Sequence, residues 1–300
     1  MDRPSDALVI CTRNRIDDIK RCLASVEASS HMPARILVVD SSDGNETEEY
    51  CALSNMPITY IKAPRGLTIQ RNIALAEIHE EIVHFIDDDV EVERDYFRAL
   101  NRVLRDSPHT AGAGGTIVGS RAVSYRPSLI SRLGLKSSLN PGRVLRSGHN
   151  TQCFDTPEAI NVDWLSGCSM SFRTSAICGL KFDERRKGYA IGEDVDFCLR
   201  ALQRGPLVHT PNARLVHHES PANRPDQPAR LRASVHNRWA LAVDFPHQVS
   251  RGLVIYSSIV EGLQIGVRSV KPGSSVQRRM ALAVFAGVLD VLKEGANVDL

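Results

Sequence analysis

Between Ala7 and about Arg105 the chain alternates short β-branched runs with segments of helical period: ALVICT, IDDIKRCLASVEA, RILVVD, ITYIKA, TIQRNIALAEIHE, EIVHFID and DYFRALNRVLR. Strand, helix, strand at this spacing gives βαβ units, hence an α/β fold with a mostly parallel, Rossmann-like sheet, right-handed crossovers and flanking helices. Ligands of such sheets bind beyond the carboxyl ends of the strands. Thr12 and Arg13 stand there after the first strand, Asp40 after the second, and Asp87, Asp88 and Asp89 after the fourth. These residues are expected to share one crevice.

Three adjacent carboxylates repel one another unless something positive holds them, and a divalent cation with oxygen ligands is the strongest candidate. Residues i and i+2 of an extended turn point to one side, so Asp87 and Asp89 face the same way and Asp88 faces another. The turn after the first strand, CTRNR, has no glycine, which argues against a nicotinamide dinucleotide. Thr12 stands where an aspartyl-phosphate enzyme would carry its nucleophile. A carboxylate at Asp40, a cation at Arg13 or Arg71 and a metal-competent acid cluster suit a nucleotide diphosphate. Breaking a sugar–diphosphate bond leaves a concentrated anion, which a metal on the phosphates stabilises.

A chain of 300 residues, 42% hydrophobic, can bury one or two cores. Lys plus Arg at 37 against Asp plus Glu at 35 leaves a charge of +2, so no global field suggests a nucleic-acid partner. Seven cysteines without a CxxC pair suit reduced thiols in a cytoplasm. The acidic start of MDRPSDALVICTRNR does not read as a signal peptide. The longest apolar runs, GLVIYSSIV and MALAVFAGVLDVL, are shorter than the roughly 18 to 20 residues of a membrane span. A cytoplasmic protein is expected, with peripheral membrane contact as an option. The irregular middle, Thr110 to Asn161, carries Arg121, Arg126, Arg132, Lys136, Arg143 and Arg146 among apolar residues, a mixture that could rest on anionic lipid. After the three prolines of ESPANRPDQPARL the tail reads helical, with Leu231, Val235, Trp239 and Ala242 at helical spacing.

In GEDVDFCLRALQRG, Val195, Cys198, Leu199 and Leu202 form a buried helical stripe, while Glu193, Asp194 and Asp196 crowd the first turn. Acids there suit the helix dipole, and Asp194 is also the candidate general base for an acceptor hydroxyl. NARLVHHES ends a strand in paired histidines, of which one can face the crevice.

Taken in order, LVICTRNR, ILVVDSSDG, GLTIQRN, HFIDDDV, DWLSGCSMSFRTS, GEDVDFCLRALQRG and ARLVHH resemble the family 2 glycosyltransferases from about residue 6 to 220. The resemblance implies a glycosyltransferase A fold, a nucleotide-sugar donor (UDP- or dTDP-sugar), Mg²⁺ or Mn²⁺, and inversion at the anomeric carbon. It puts Thr12 and Arg13 beside base and ribose, Asp40 on the pyrimidine and Arg71 near the nucleotide. It makes Asp89, Asp87 and His217, the terminal histidine in preference to His218, the metal ligands, puts Asp87 and Asp88 on the nucleotide, and makes Asp194 the base. Trp164, Gly167 and Glu193 fall at the donor-sugar and acceptor pocket. The acceptor would be a saccharide or a lipid-linked molecule in polysaccharide or glycolipid assembly. The domain expectation is a catalytic domain over 1–220, with a nucleotide half (1–105) and an acceptor half (106–220), followed by a helical extension over 221–300. Nucleotide-sugar synthesis by a nucleotidyltransferase and non-catalytic sugar-nucleotide binding are the competing readings; oligomeric state is left open.

Overall fold

The short β-branched runs ALVICT, RILVVD, ITYIK and EIVHFID become strands in the computed structural model, which describes residues 5–119, 140–153, 156–186, 190–220, 226–268 and 274–298. Strands β1 (Asp6–Thr12), β2 (Arg35–Asp40), β3 (Ile58–Lys62) and β4 (Ile82–Asp87) lie in the order β3-β2-β1-β4, all parallel. Thr12 pairs in register with Asp40, and Cys11 with Asp87, so the polar strand ends are level. The crossovers contain α1 (Ile16–Glu27), α2 (Glu46–Ala52) and α3 (Leu67–Glu77). α1 buries Ile19, Cys22, Leu23 and Val26, the i, i+3, i+4, i+7 stripe that its sequence shows.

The sheet continues through β5 (Val90–Val92), β6 (Gly112–Val118), β7 (Ile160–Val162), β8 (Met170–Arg173) and β9 (Leu207–His217), with helices α4 (Tyr96–Asp106), α5 (Thr174–Ile177) and α6 (Glu193–Leu202) between them. This half is mixed rather than parallel. β8 runs antiparallel to β4 and β6; β9 is parallel to β6 but antiparallel to β5 and β7. The antiparallel return of β9 pairs His217 with Val90, one residue past the acidic turn. Glycines let β6 sit close to its neighbours: a Cβ on Gly115 would fall 2.3 Å from the Ala213 carbonyl oxygen, beside the register shift between Gly115 and Thr116. Phe85, Phe172, Phe182 and Phe197 interlock by edge contacts and one stack to fill the space between β4, β8 and α6.

The chain divides into two compact units, Met1–Val123 with Cys153–Ala222 and Ser124–Gln152 with Asn223–Leu300. The second contains α7 (Gln227–Asp244), α8 (Arg251–Arg268) and α9 (Ser275–Val298). Asp226 caps α7 by accepting from the Ala229 N–H. Val235, Val284, Val288 and Val291 form its small core, flanked by Leu231 and Trp239. Residues 140–152, expected in the acceptor half, group with these helices. The Ser250 N–H donates to the Arg146 carbonyl at 2.8 Å, and Gly148 lies so close to Arg238 that a Cβ would come within 2.9 Å of its Cβ. Arg121, Arg126, Arg132 and Lys136 lie outside the described residues. No helix among the described residues is long and apolar enough to cross a membrane, and all seven cysteines are free.

Candidate active site

β4 delivers Asp87 at its last residue, and the tight turn into β5 delivers Asp88 and Asp89. Asp87, Asp89 and His217 each offer one ligand atom within 4.8 Å of the others. His217 Nε2 lies 3.0 Å from Asp89 Oδ1 and 3.9 Å from Asp87 Oδ2, yet it is buried and makes no well-formed hydrogen bond among the described residues. Two carboxylate oxygens and an imidazole nitrogen converging in this way fit Mn²⁺ or Mg²⁺. Burial alone would lower the His217 pKa, but Asp89 first, then Cys168 and Asp87, raise it to about 11. Burial opposes ionisation of Asp89, and His217 overrides it, keeping the carboxyl at about 2. His218, on the other strand face, turns to Glu91 at 2.7 Å.

Asp88 points away from this cluster. Its oxygens accept from Thr12 Oγ1 and Arg15 Nη1, each at 2.8 Å. Burial raises its pKa to about 7 despite Arg15. Asp88 and Thr12, both expected to border the nucleotide, are thereby tied to each other. Arg15 also lies 3.7 Å from Asp89, a role that strand–helix alternation does not reveal. It stands two residues after Arg13 in the same turn, and that repeated cation was its only sequence signal.

Arg71 projects from α3 into the protein and is 2% exposed. Its Nη1 donates to Glu193 Oε1 at 2.7 Å; Nη2 donates to the Gly167 carbonyl at 3.0 Å and reaches Asp87 Oδ1 at 3.4 Å. Expected near the nucleotide, it ties Asp87 at the end of β4 to the start of α6. Glu193, expected in the sugar pocket, is its buried partner. Burial and the neighbouring Asp194 raise the Glu193 pKa to about 8, against the pull of Arg71. Gly167 fits here because a Cβ would lie 3.0 Å from Glu193 Oε1 and 3.2 Å from Arg71 Nη2.

Asp194 follows at the first turn of α6, which Gly192 opens at φ 79°. Its Oδ2 accepts from the Gly167 N–H at 3.0 Å and its Oδ1 from the Val195 N–H at 2.8 Å. Burial raises its pKa, while those two N–H groups resist. Trp164 is buried just ahead of this loop, where the Leu165 N–H donates to Cys198 Sγ at 3.3 Å.

The loops after β1 and β2 clasp each other. Asn14, at φ 53°, donates from Nδ2 to Asp43 Oδ2 at 2.7 Å and accepts the Asp43 N–H at 2.9 Å. Its own N–H donates to Ser42 Oγ at 2.7 Å, and Arg13 reaches Asp43 at 3.5 Å. Asp40, expected on a pyrimidine, is fully buried and supports this loop. It accepts from the Ser42 N–H at 2.7 Å, from the Ser42 hydroxyl and from Tyr60 OH at 3.0 Å. Gln70 Nε2 bridges the Thr12 and Val39 carbonyls at 3.0 and 2.7 Å, locking β1 to β2.

The model of the family Glycosyl transferase family 2 matches residues 7–160. The chain belongs to glycosyl transferase family 2. Solved glycosyltransferases share the fold of this family 2 glycosyltransferase. The mannosyltransferase PcManGT from Pyrobaculum calidifontis, solved with GDP-Man and Mn²⁺, is 14% identical with a TM-score of 0.57, covering 97% of this chain and 88% of its own. S. aureus TarS 1-349, solved with UDP-GlcNAc, is 14% identical with a TM-score of 0.58, covering 95% and 81%. GalNAc-T7, solved with UDP, GalNAc and Mn²⁺, is 14% identical with a TM-score of 0.59; the match covers 94% of this chain and 55% of that one. No curated protein sequence matches the chain.

Proposed function

We propose that this glycosyltransferase moves a sugar from a UDP- or dTDP-sugar to an acceptor hydroxyl, with inversion at the anomeric carbon. The acceptor is a saccharide or lipid-linked molecule of polysaccharide or glycolipid assembly in the cytoplasm. Residues 1–220 carry the reaction, 1–105 for the nucleotide and 106–220 for the acceptor, and 221–300 form an extension. The observation that carries the reading is the unbroken path from Asp89, His217 and Asp87 through Arg71 to Gly167 and Asp194. It joins a cation-binding cluster to a carboxylate base. The structures solved with GDP-Man and Mn²⁺ and with UDP-GlcNAc support a nucleotide-sugar donor.

Asp87, Asp89 and His217 would hold Mn²⁺ or Mg²⁺, which when bound neutralises charge on the departing diphosphate. Asp194 accepts the acceptor hydroxyl's proton; burial raises its proton affinity and makes it a stronger base. Arg71 holds Asp87 and Glu193 in place. The loops bearing Thr12, Arg13 and Asp40 shape the nucleotide side, and Trp164 and Gly167 shape the sugar pocket.

Calorimetric titration of UDP, dTDP, GDP and CDP, each with Mn²⁺, Mg²⁺ or chelator, tests the reading. Metal-dependent binding of a pyrimidine diphosphate, lost in Asp89→Ala, is expected. Asp194→Asn is expected to keep that binding and lose transfer. A fully active Asp194→Asn would remove the base assignment, and no diphosphate binding with metal present would remove the donor assignment.

A further inference from the structure

Helix α8 is apolar on its outward side as well as on its inward one, where Val254 is buried and Ile255 and Ile265 pack on the valine core. Three of its polar residues face the protein: Glu261 pairs with buried Arg238 at 3.2 Å, and the Ser257 and Ser258 hydroxyls donate to the Val254 carbonyl. Its outward stripe is Tyr256, Ile259, Leu263 and Val267, spaced by three, four and four residues along one face. Leu263 is 57% exposed and Val267 74%. A solvated helix carries charged and polar residues along that outward face.

The apolar surface continues onto α9. Gly262 meets Phe285 so closely that a Cβ would come within 2.8 Å, which brings the two helices together at that seam. Leu282 and Leu289, one turn either side of Phe285, are 67% and 57% exposed. Charge around these stripes is predominantly positive. Arg268 at the end of α8 and Arg278 at the start of α9 are exposed and have no acidic partner among the described residues. Of the acids nearby, Asp290 is neutralised by Arg232 and His236, and Asp226 pairs with Arg279.

We propose that the outer faces of α8 and α9 lie on an anionic lipid surface, the side chains from Tyr256 to Val267 entering the headgroup boundary and Arg268 and Arg278 meeting lipid phosphates. Apolar area and positive charge on one face match such a surface in both respects. Neither helix qualifies as a membrane span, so the contact is peripheral.

The test is flotation of the full chain with vesicles of phosphatidylcholine alone and of phosphatidylcholine mixed with phosphatidylglycerol, at low and high salt. Binding to the anionic vesicles at low salt, reduced by salt, is expected. The double variant Leu263→Gln/Val267→Gln should weaken it about tenfold, and Arg268→Glu/Arg278→Glu should abolish it. Both variants replace exposed side chains, and unchanged thermal midpoints and unchanged metal-dependent diphosphate binding would verify that the fold and the catalytic unit are intact. Absence of vesicle binding at low salt, or binding indifferent to Leu263→Gln/Val267→Gln, overturns the proposal. So does sedimentation showing a stable dimer that this variant dissolves, because a second copy would then own the face. None of these outcomes bears on the glycosyl-transfer reading, which the diphosphate titration tests separately.

Discussion

Arg71 is a cation sealed in the interior, and its three partners come from the last residue of β4, the loop before β8 and the first turn of α6. Lysine keeps the charge but cannot serve several acceptors from one rigid planar fork. Arg71→Lys is expected to weaken metal-dependent diphosphate binding by about 10- to 100-fold, as loss of a group orienting metal ligands does. Arg71→Ala should also destabilise by about 3–5 kcal/mol, because it leaves Glu193 without its partner in the interior. Titration calorimetry and denaturant unfolding separate the two effects, and unchanged metal affinity in Arg71→Lys would reduce Arg71 to a structural tie. The neighbouring acids predict a pH effect. With Glu193 raised to about 8 and Asp194 also raised, the base is available only as pH climbs through the titration of this pair. Transfer should therefore fall on the acid side of a kcat/KM profile, and an acid side that stays flat would remove Asp194 as the titrating base. The strand-end acids were readable in the sequence because the strand–helix alternation says which residue ends each strand. The inward course of Arg71 was not, since its partner Glu193 lies 122 residues away and local periodicity carries no information over that distance.

Among the elements, β6 and β9 settle where the histidine goes. AGAGGTIVG reads as a strand, but its glycines look like a weakness until β9 is seen beside them. The Ala213 carbonyl occupies the space a Gly115 side chain would need, so Gly115→Ala should force the strands apart and destabilise by about 1–3 kcal/mol. Denaturant melts would measure this. Because β9 also carries His217, the same variant should weaken metal binding, whereas a shift in stability with unchanged metal affinity would mean that the far end of β9 is held independently by β5. Strand existence was legible here; strand direction was not. The antiparallel return of β9 depends on long-range pairing, which alternation of apolar and polar residues does not encode. Helix α8 makes the same point: apolar spacing announces a helix but leaves open which of its apolar residues face outward.

Across the molecule, the end of the sheet remote from the acidic turn has its own ionic centre. Asp6 accepts from His31 at 2.8 Å and Asn101 at 2.6 Å and lies 3.3 Å from His84, which bonds Ser171 at 2.7 Å, so β1, β4, α4 and β8 share one buried network. Burial alone would raise the Asp6 pKa, but His31, His84 and Asn101 together depress it far below the usual carboxylate range. A depressed carboxylate stabilises the fold above its unfolded pKa of about 3.9, and that stabilisation is lost as pH falls below it. Asp6→Asn should cost roughly 3 kcal/mol near neutral pH and flatten the acid limb of the stability curve. Urea midpoints across pH would show this, and an unchanged acid limb would assign acid lability to other carboxylates. The clasp between Asn14 and Asp43 has a kinetic corollary. Two loops that already hold each other have little freedom left to lose, so a ligand entering beside them meets a gap of fixed width. Its capture should follow a single exponential whose rate rises in proportion to ligand concentration, with no slow plateau from loops searching for each other.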